Sequence, residues 1–169
     1  MKRKLLFIIT MLAATGLSSC ERDDICPENT PTTPRLVVQF FDINNPEIQK
    51  DINELVIQSV DTENENFIEY DNVSEIILPL KTNQNSTQFL MTINANSENE
   101  SDINTDELIF NYARRNVYIN RACGYKVEFL DFQVTQIEES NEDLEWIKAT
   151  AVQQPNIDNE NETHLFIYH

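Results

Sequence analysis

Short apolar runs separated by polar segments dominate the chain from Arg35 onward. Residues 36–41 (LVVQFF) are apolar on both faces of an extended chain, which predicts a strand buried on both sides. Residues 86–95 alternate cleanly and place Phe89 and Met91 on one face. With so many short strands and no sustained helical period, we predict an all-β fold, a single antiparallel β-sandwich (immunoglobulin-like or related Greek-key) of eight or nine strands. The remaining predicted strands are 54–60, 67–70, 74–82, 124–137, 146–152 and 163–168.

Three stretches carry mixed local signals. A turn signal precedes residues 46–52, where we expect a helical turn. Within 74–82, Pro79 cannot donate a ladder hydrogen bond, so this run is expected to be an edge strand or two pieces. Residues 106–121 have a partly helical spacing, whereas their aromatic and β-branched content favours strands. We interpret them as two strands that turn near Arg115–Asn116.

Residues 124–137 have a strong strand pattern, but the face that carries their apolar residues changes part-way along. The apolar residues are odd-numbered up to Phe129 and even-numbered from Phe132. A slip of one residue reverses the two faces of a strand, so a bulge or bend is expected near Leu130–Asp131.

The N-terminus has the pattern of an export signal. Lys2-Arg3-Lys4 precedes the apolar run Leu5–Leu17, and small residues follow it. Thirteen helical residues span about 20 Å, too short for a permanent membrane span. The end of the run, Leu17-Ser18-Ser19-Cys20, resembles the bacterial lipobox. The resemblance implies that diacylglycerol is attached to the Cys20 thiol and that the chain is cut before it. The alternative is an ordinary signal peptide with a chance cysteine.

The predicted organisation is therefore a signal peptide at 1–19, a lipidated extended leader at 20–34 and a β-sandwich domain at 35–169. Three prolines and the lack of an apolar period make the leader extended. The acidic stretch at 21–24 is similar to the signal that exports some Bacteroidota lipoproteins to the cell surface. A solvated, charge-rich tether explains the same residues.

Charge narrows the range of partners. The chain has 29 acidic and 12 basic residues and a net charge of −17. Loss of Lys2, Arg3 and Lys4 with the signal peptide would bring the net charge to −20. Nucleic acid is excluded as a partner because phosphate binding needs a basic face. Anionic headgroups would repel such a body, so we expect the lipid on Cys20 to hold the membrane while the protein surface stays away from it.

Little in the composition supports catalysis or a cofactor. Gly16 and Gly124 are the only glycines, which excludes a glycine-rich phosphate loop. The only histidines, His164 and His169, fall on opposite faces of one predicted strand and cannot share a metal without a bend. Many carboxylates could form a glycosidase-like pair, but their abundance makes that signal uninformative. We predict no catalytic residues and no cofactor.

Calcium is the one metal with a candidate motif. Asp102, Asn104 and Asp106 match the D-x-N-x-D opening of an EF-hand loop. The match then fails, because Glu107 stands where glycine is required and Ala113 where the bidentate glutamate belongs. A charged, solvated loop is the alternative interpretation.

Cys26 and Cys123 remain besides the anchor cysteine. Because an exported compartment is oxidising, a disulfide between them is the default expectation. It would close a loop of about 97 residues and clamp the leader against the domain. Two unpaired buried cysteines are the alternative. A catalytic role for either thiol is not supported, because neither Cys26 nor Cys123 has an identifiable base.

Two segments resemble an uncharacterised family of Bacteroidota lipoproteins, a domain of unknown function. They are Asp23–Leu36 (DDICPENTPTTPRL) and Arg121–Lys126 (RACGYK), and each contains one of the two cysteines. Gly124 is expected to provide a tight turn or a close approach beside the bridge, or else to be an ordinary bulge glycine.

The sequence thus predicts a lipid-anchored protein of the cell envelope, on the periplasmic face of the outer membrane or on the cell surface. It would act by binding or as a structural component, with an unknown envelope protein or ligand as its partner. The alternative is a calcium-, small-ligand- or glycan-binding accessory protein, and a hydrolase comes third. An exposed aromatic platform would favour a ligand or glycan, and a broad apolar face would favour a protein partner.

Overall fold

The computed structural model describes residues 25–60, 67–137 and 145–169. The predicted signal peptide, the predicted lipidation site Cys20, the acidic stretch at 21–24 and the polar segments 61–66 and 138–144 lie outside these residues. Within them the chain forms ten strands and one short 3₁₀ helix, Glu100–Asp102. The strands are β1 (Leu36–Asp42), β2 (Asn45–Gln49), β3 (Ile52–Ser59), β4 (Phe67–Val73), β5 (Glu75–Leu78), β6 (Ser86–Ile93), β7 (Asn104–Asn120), β8 (Gly124–Ile137), β9 (Ala149–Val152) and β10 (Leu165–Tyr168).

These strands form two sheets, which confirms the all-β sandwich. The first sheet has the order β2-β1-β10-β9, with β5 also paired to β1, and the second has the order β4-β3-β6-β7-β8. One pairing departs from the antiparallel expectation, because β1 and β10 run parallel, with Val38 opposite Leu165 and Phe41 opposite Tyr168. Parallel neighbours need a long crossover, and here nearly the whole domain lies between the two strands.

Apolar residues of both sheets meet in one buried core. Strand β1 supplies Leu36, Val38 and Phe40, all fully buried. Its other face is covered too, because the Phe41 ring lies 4.6 Å from Phe166. This confirms the prediction that β1 is buried on both sides. The second sheet contributes its largest buried side chains from β3, β6, β7 and β8: Leu55, Ile57, Met91, Leu108, Phe110, Phe129 and Phe132.

The helical turn expected at 46–52 is wrong, because that stretch contains the exposed strand β2. A tight turn precedes it, in which the Asn44 N–H donates to Asp42 Oδ1 at 2.8 Å. The turn brings the chain back alongside β1, where the Lys50 N–H donates to the Phe40 carbonyl. Pro46 is tolerated because β2 lies at the end of the strand order.

The two strands expected within 106–121 are in fact one, β7, which has 17 residues. Its even-numbered residues Leu108, Phe110 and Tyr112 are buried, whereas residues 113–116 are exposed. The strand continues beyond the part that the core covers because it has β8 as a neighbour in the sheet. The turn comes at 121–123 and not near Arg115.

Two other local predictions are confirmed. Strand β5 ends at Leu78, directly before Pro79, and its described pairing is with β1 alone. The parity change in β8 is also present, because Phe129 and Phe132 are both buried. Between them Asp131 has a φ of 54°, a left-handed backbone conformation that turns the strand by one residue.

The chain divides into two compact units. The first contains the N-terminal segment up to Pro31 together with Tyr118–Tyr125, and the second contains Thr32–Val117 and Lys126–His169. Across the described ranges, no helix has the length and hydropathy that a membrane span requires.

Candidate functional site

The disulfide predicted between Cys26 and Cys123 is present, with the two Cα atoms 4.9 Å apart. It lies within the first unit and joins the leader to the turn between β7 and β8. We call Tyr118–Tyr125 the hairpin tip. The Thr30 hydroxyl lies 3.5 Å from Cys123 Sγ and acts as the donor, because a disulfide sulfur has no proton to give.

The turn of the hairpin tip is built by local contacts. The Cys123 N–H donates to Asn120 Oδ1 at 2.8 Å, which closes the turn. Gly124 follows with a φ of 71°, a conformation that L-residues adopt only at a cost. A Cβ atom placed at Gly124 would meet no atom within 4 Å. Backbone conformation, and not a close approach, therefore explains this glycine.

An exposed pair of aromatic rings lies at the hairpin tip. Tyr118 is 57% exposed and Tyr125 is 69% exposed, and their ring centroids are 5.2 Å apart in an edge-to-face arrangement. In the same unit Ile25 is 80% exposed, and Arg121 is exposed with no ion pair to any described residue. Sequence reasoning missed this tyrosine pair. The available signal was two aromatic residues placed almost symmetrically about the turn at 121–123.

A second feature, in the second unit, is a surface depression that we call the polar depression. It encloses about 420 Å³, which falls within the range of about 300–1,000 Å³ typical of small-molecule sites. All of its lining residues are amides, carboxylates or a serine, so the surface offers hydrogen-bond donors and acceptors with almost no apolar side chain. They are Asn53, Glu54, Asp71, Asn94, Asn96, Ser97 and Asp102.

Two left-handed residues shape the polar depression. Glu54 has a φ of 47° and Asn94 a φ of 52°. They hold two segments together, because the Asn94 N–H donates to the Asn53 carbonyl and the Ala95 N–H donates to the Glu54 carbonyl. Asn94 Nδ2 also donates to the Asp102 carbonyl at 2.9 Å. Asparagine tolerates this conformation well, whereas glutamate adopts it rarely, and such residues are frequent near binding sites.

The three calcium candidates have separate roles in the structure. Asp102 lines the polar depression, and its Oδ1 accepts from Asn99 Nδ2. Asn104 begins β7, opposite Ile93. Asp106 is 2% exposed, and its Oδ2 accepts the Ile147 N–H at 2.6 Å. Among the described residues, no three His, Cys, Asp or Glu side chains form a cluster that could hold a metal ion.

The two histidines pack in different places. His164 is fully buried, and its Nδ1 accepts the Val37 N–H at 3.0 Å. His169 lies edge-on to the rings of Trp146 and Phe40, with centroids 5.9 and 6.2 Å away. Burial lowers the pKa of both imidazoles, which favours the neutral form. His164 therefore joins the start of β10 to β1 by a hydrogen bond, whereas His169 packs against core aromatic rings.

Two carboxylates are held in their charged form by neighbouring cations. Hydrogen bonds from Lys126 and Arg115, with ion-pair distances of 2.9 and 2.6 Å, lower the pKa of Glu128. Arg35 donates to both carboxylate oxygens of Glu160 and lowers its pKa in the same way. A general acid needs a raised pKa, so neither glutamate has the properties of one.

Comparison with known proteins gives a family. Residues 52–169 match the model of a family of unknown function, DUF6452. The match covers well over half of the chain. The chain belongs to this family. No curated protein and no solved structure matches it.

The family region contains both the polar depression and the hairpin tip. It includes every residue of the polar depression and the whole hairpin tip. Cys123 is therefore inside the DUF6452 region, whereas its partner Cys26 precedes it. The expected resemblance to an uncharacterised family is confirmed in this general form, and the lipoprotein character remains a prediction.

Proposed function

We propose that the protein is a lipid-anchored component of the cell envelope that acts by binding, from the outer membrane, on its periplasmic face or at the cell surface. The disulfide between Cys26 and Cys123 is the observation that carries this proposal. Disulfides persist in oxidising compartments and are rare in the cytosol. A bonded cysteine pair therefore supports export of the chain.

The anchor follows from the N-terminal sequence. Cys20 ends the lipobox-like Leu17–Cys20 and stands six residues before Cys26. Two or more acyl chains hold a protein on a membrane durably, whereas one chain binds only marginally. The acidic composition of the chain also suits a protein that the lipid, and not a broad basic surface, keeps at the membrane.

Metabolic labelling tests the anchor. The full chain is expressed in a Gram-negative host fed with an alkyne fatty acid, next to a Cys20→Ala variant and a Cys26→Ser/Cys123→Ser variant. We expect label on the wild type and on the double variant, none on Cys20→Ala, and an intact mass that begins at Cys20. An unlabelled wild type, or cleavage at another position, would contradict the anchor. Protease treatment of whole cells then distinguishes the two faces of the membrane.

The polar depression favours a second candidate, in which the binding partner is a small polyhydroxylated ligand such as a glycan. Its amide and carboxylate groups can donate to and accept from hydroxyl groups. Asp71 is a suitable probe, because its side chain makes no hydrogen bond or ion pair with other described residues.

Titration of a soluble oligosaccharide panel, followed by NMR, tests this candidate. Loss of a hydrogen bond to a charged group costs about 1.5–3 kcal/mol, so Asp71→Ala should raise Kd by about tenfold or more. Glu47→Ala, an exposed carboxylate on β2, is the matched control and should leave Kd unchanged. Equal affinity of the two variants, or no binding by the wild type, would count against a glycan site here.

A further inference from the structure

We infer that the hairpin tip contacts the lipid–water interface of the membrane that carries the anchor. This inference rests on the proposed lipidation of Cys20 and names a surface that the anchor alone does not require. Its basis is the position of the disulfide relative to Cys20, together with the side chains exposed in the same unit.

The first step is the length of the tether. An extended chain advances at most about 3.5 Å per residue, so the six residues from Cys20 to Cys26 span no more than about 21 Å. Because the disulfide bonds Cys26 to Cys123, 97 residues further along the chain, nearly the same limit on distance from the lipid applies to Cys123. The hairpin tip is thereby held near the lipid.

The second step is the chemistry of the exposed side chains. Tyr118, Tyr125 and Ile25 expose most of their surface, although each carries an apolar body. Tyrosine is enriched at membrane interfaces, where the ring lies among headgroups and the hydroxyl remains in water. Arg121 is exposed in the turn between the two tyrosines and forms no ion pair with a described residue, so anionic headgroups would attract it.

The third step is the distribution of charged residues along the sequence. Residues 108–127 contain no carboxylate and hold four of the 12 basic residues, in a chain whose net charge is −17. Two of these cations, Arg115 and Lys126, pair with Glu128, and the leader in the same unit carries Glu21, Asp23, Asp24 and Glu28. Within the first unit, the hairpin tip itself is therefore the part that anionic headgroups would repel least. We therefore expect the hairpin tip to contact the membrane, while the rest of the protein surface stays away from it.

Quenching by brominated lipids tests the contact. The full chain, acylated at Cys20, is reconstituted in vesicles of phosphatidylethanolamine and phosphatidylglycerol with or without bromine on the acyl chains. Tyr125→Trp adds an indole at the hairpin tip, and Phe67→Trp adds one at an exposed position on β4. Trp146 is buried and donates to the Met91 carbonyl, so it provides an unquenched background in both variants.

We expect brominated vesicles to reduce the added emission of Tyr125→Trp about twofold or more and to leave that of Phe67→Trp nearly unchanged. Equal quenching of the two variants would overturn the contact. Quenching of neither, in protein that floats with the vesicles, would also overturn it and would leave the tyrosine pair facing water, available to a glycan or a protein. Failure of the wild type to float would instead refute the anchor, and this inference with it.

Discussion

Removal of the disulfide should lower the stability of the protein by several kilocalories per mole. The perturbation is the double variant Cys26→Ser/Cys123→Ser, which leaves no free thiol at either position. The bridge closes a loop of 97 residues. In the chain-entropy model such a loop destabilises the unfolded state by about 4.7 kcal/mol at 25 °C, which is an upper value for the loss. For a domain of this size the loss corresponds to a fall in Tm of roughly 10–20 °C.

Differential scanning calorimetry of the full chain, with and without reductant, measures the effect. The wild type should lose stability on reduction, and the double variant should melt at the lower temperature under both conditions. Intact mass after alkylation without reduction provides the control for the starting state. An unchanged Tm for the double variant, or two alkylated thiols in the native wild type, would show that the disulfide does not stabilise the fold in this way.

Three further predictions concern single residues. Asp106→Ala should cost about 1–3 kcal/mol in urea denaturation, because the buried Ile147 N–H loses its acceptor, and a loss that appears only with calcium present would contradict this structural role. Folding lowers the pKa of Glu128 below its ordinary 4.5, so its contribution to stability is present above that pH and is lost as the pH falls below it. Glu128→Gln should therefore flatten the acid side of the stability–pH curve, and a curve as steep as the wild type's would be contrary to expectation. Gly124→Ala should cost about 1–2 kcal/mol by thermal melting because of its positive φ, with a smaller loss for asparagine, and equal losses would argue against the left-handed turn.

Prediction from the sequence succeeded where a side-chain pattern depends on neighbours along the chain. The two-sided burial of β1 and the alternation of β6 follow from positions of apolar residues alone. The parity change near Asp131 is visible in the same way, because it needs only the spacing of Phe129 and Phe132. Such patterns are visible in the sequence because each position along a strand faces either the core or the solvent, and its residue type reflects that environment.

Prediction failed where distant partners decide the conformation. Residues 45–49 form a strand because β1 offers an edge to pair with, although their own composition does not favour one. Strand β7 continues past Arg115 because β8 lies beside it. The polar depression was also out of reach, since its residues come from β3, β4 and the segment between β6 and β7.

The all-β class, the main strands and the two cysteines able to form a bridge are therefore predictable from the sequence, since they depend on residue type and local period. The parallel pairing of β1 with β10, the hydrogen bond of Asp106 within the core and the exposure of two tyrosines at the hairpin tip become visible only in three dimensions. Pairing, burial and exposure of a given side chain depend on segments up to 127 residues away, as the hydrogen bond between the Val37 N–H and His164 Nδ1 illustrates. A local sequence pattern does not specify which of these distant segments will pack against each other.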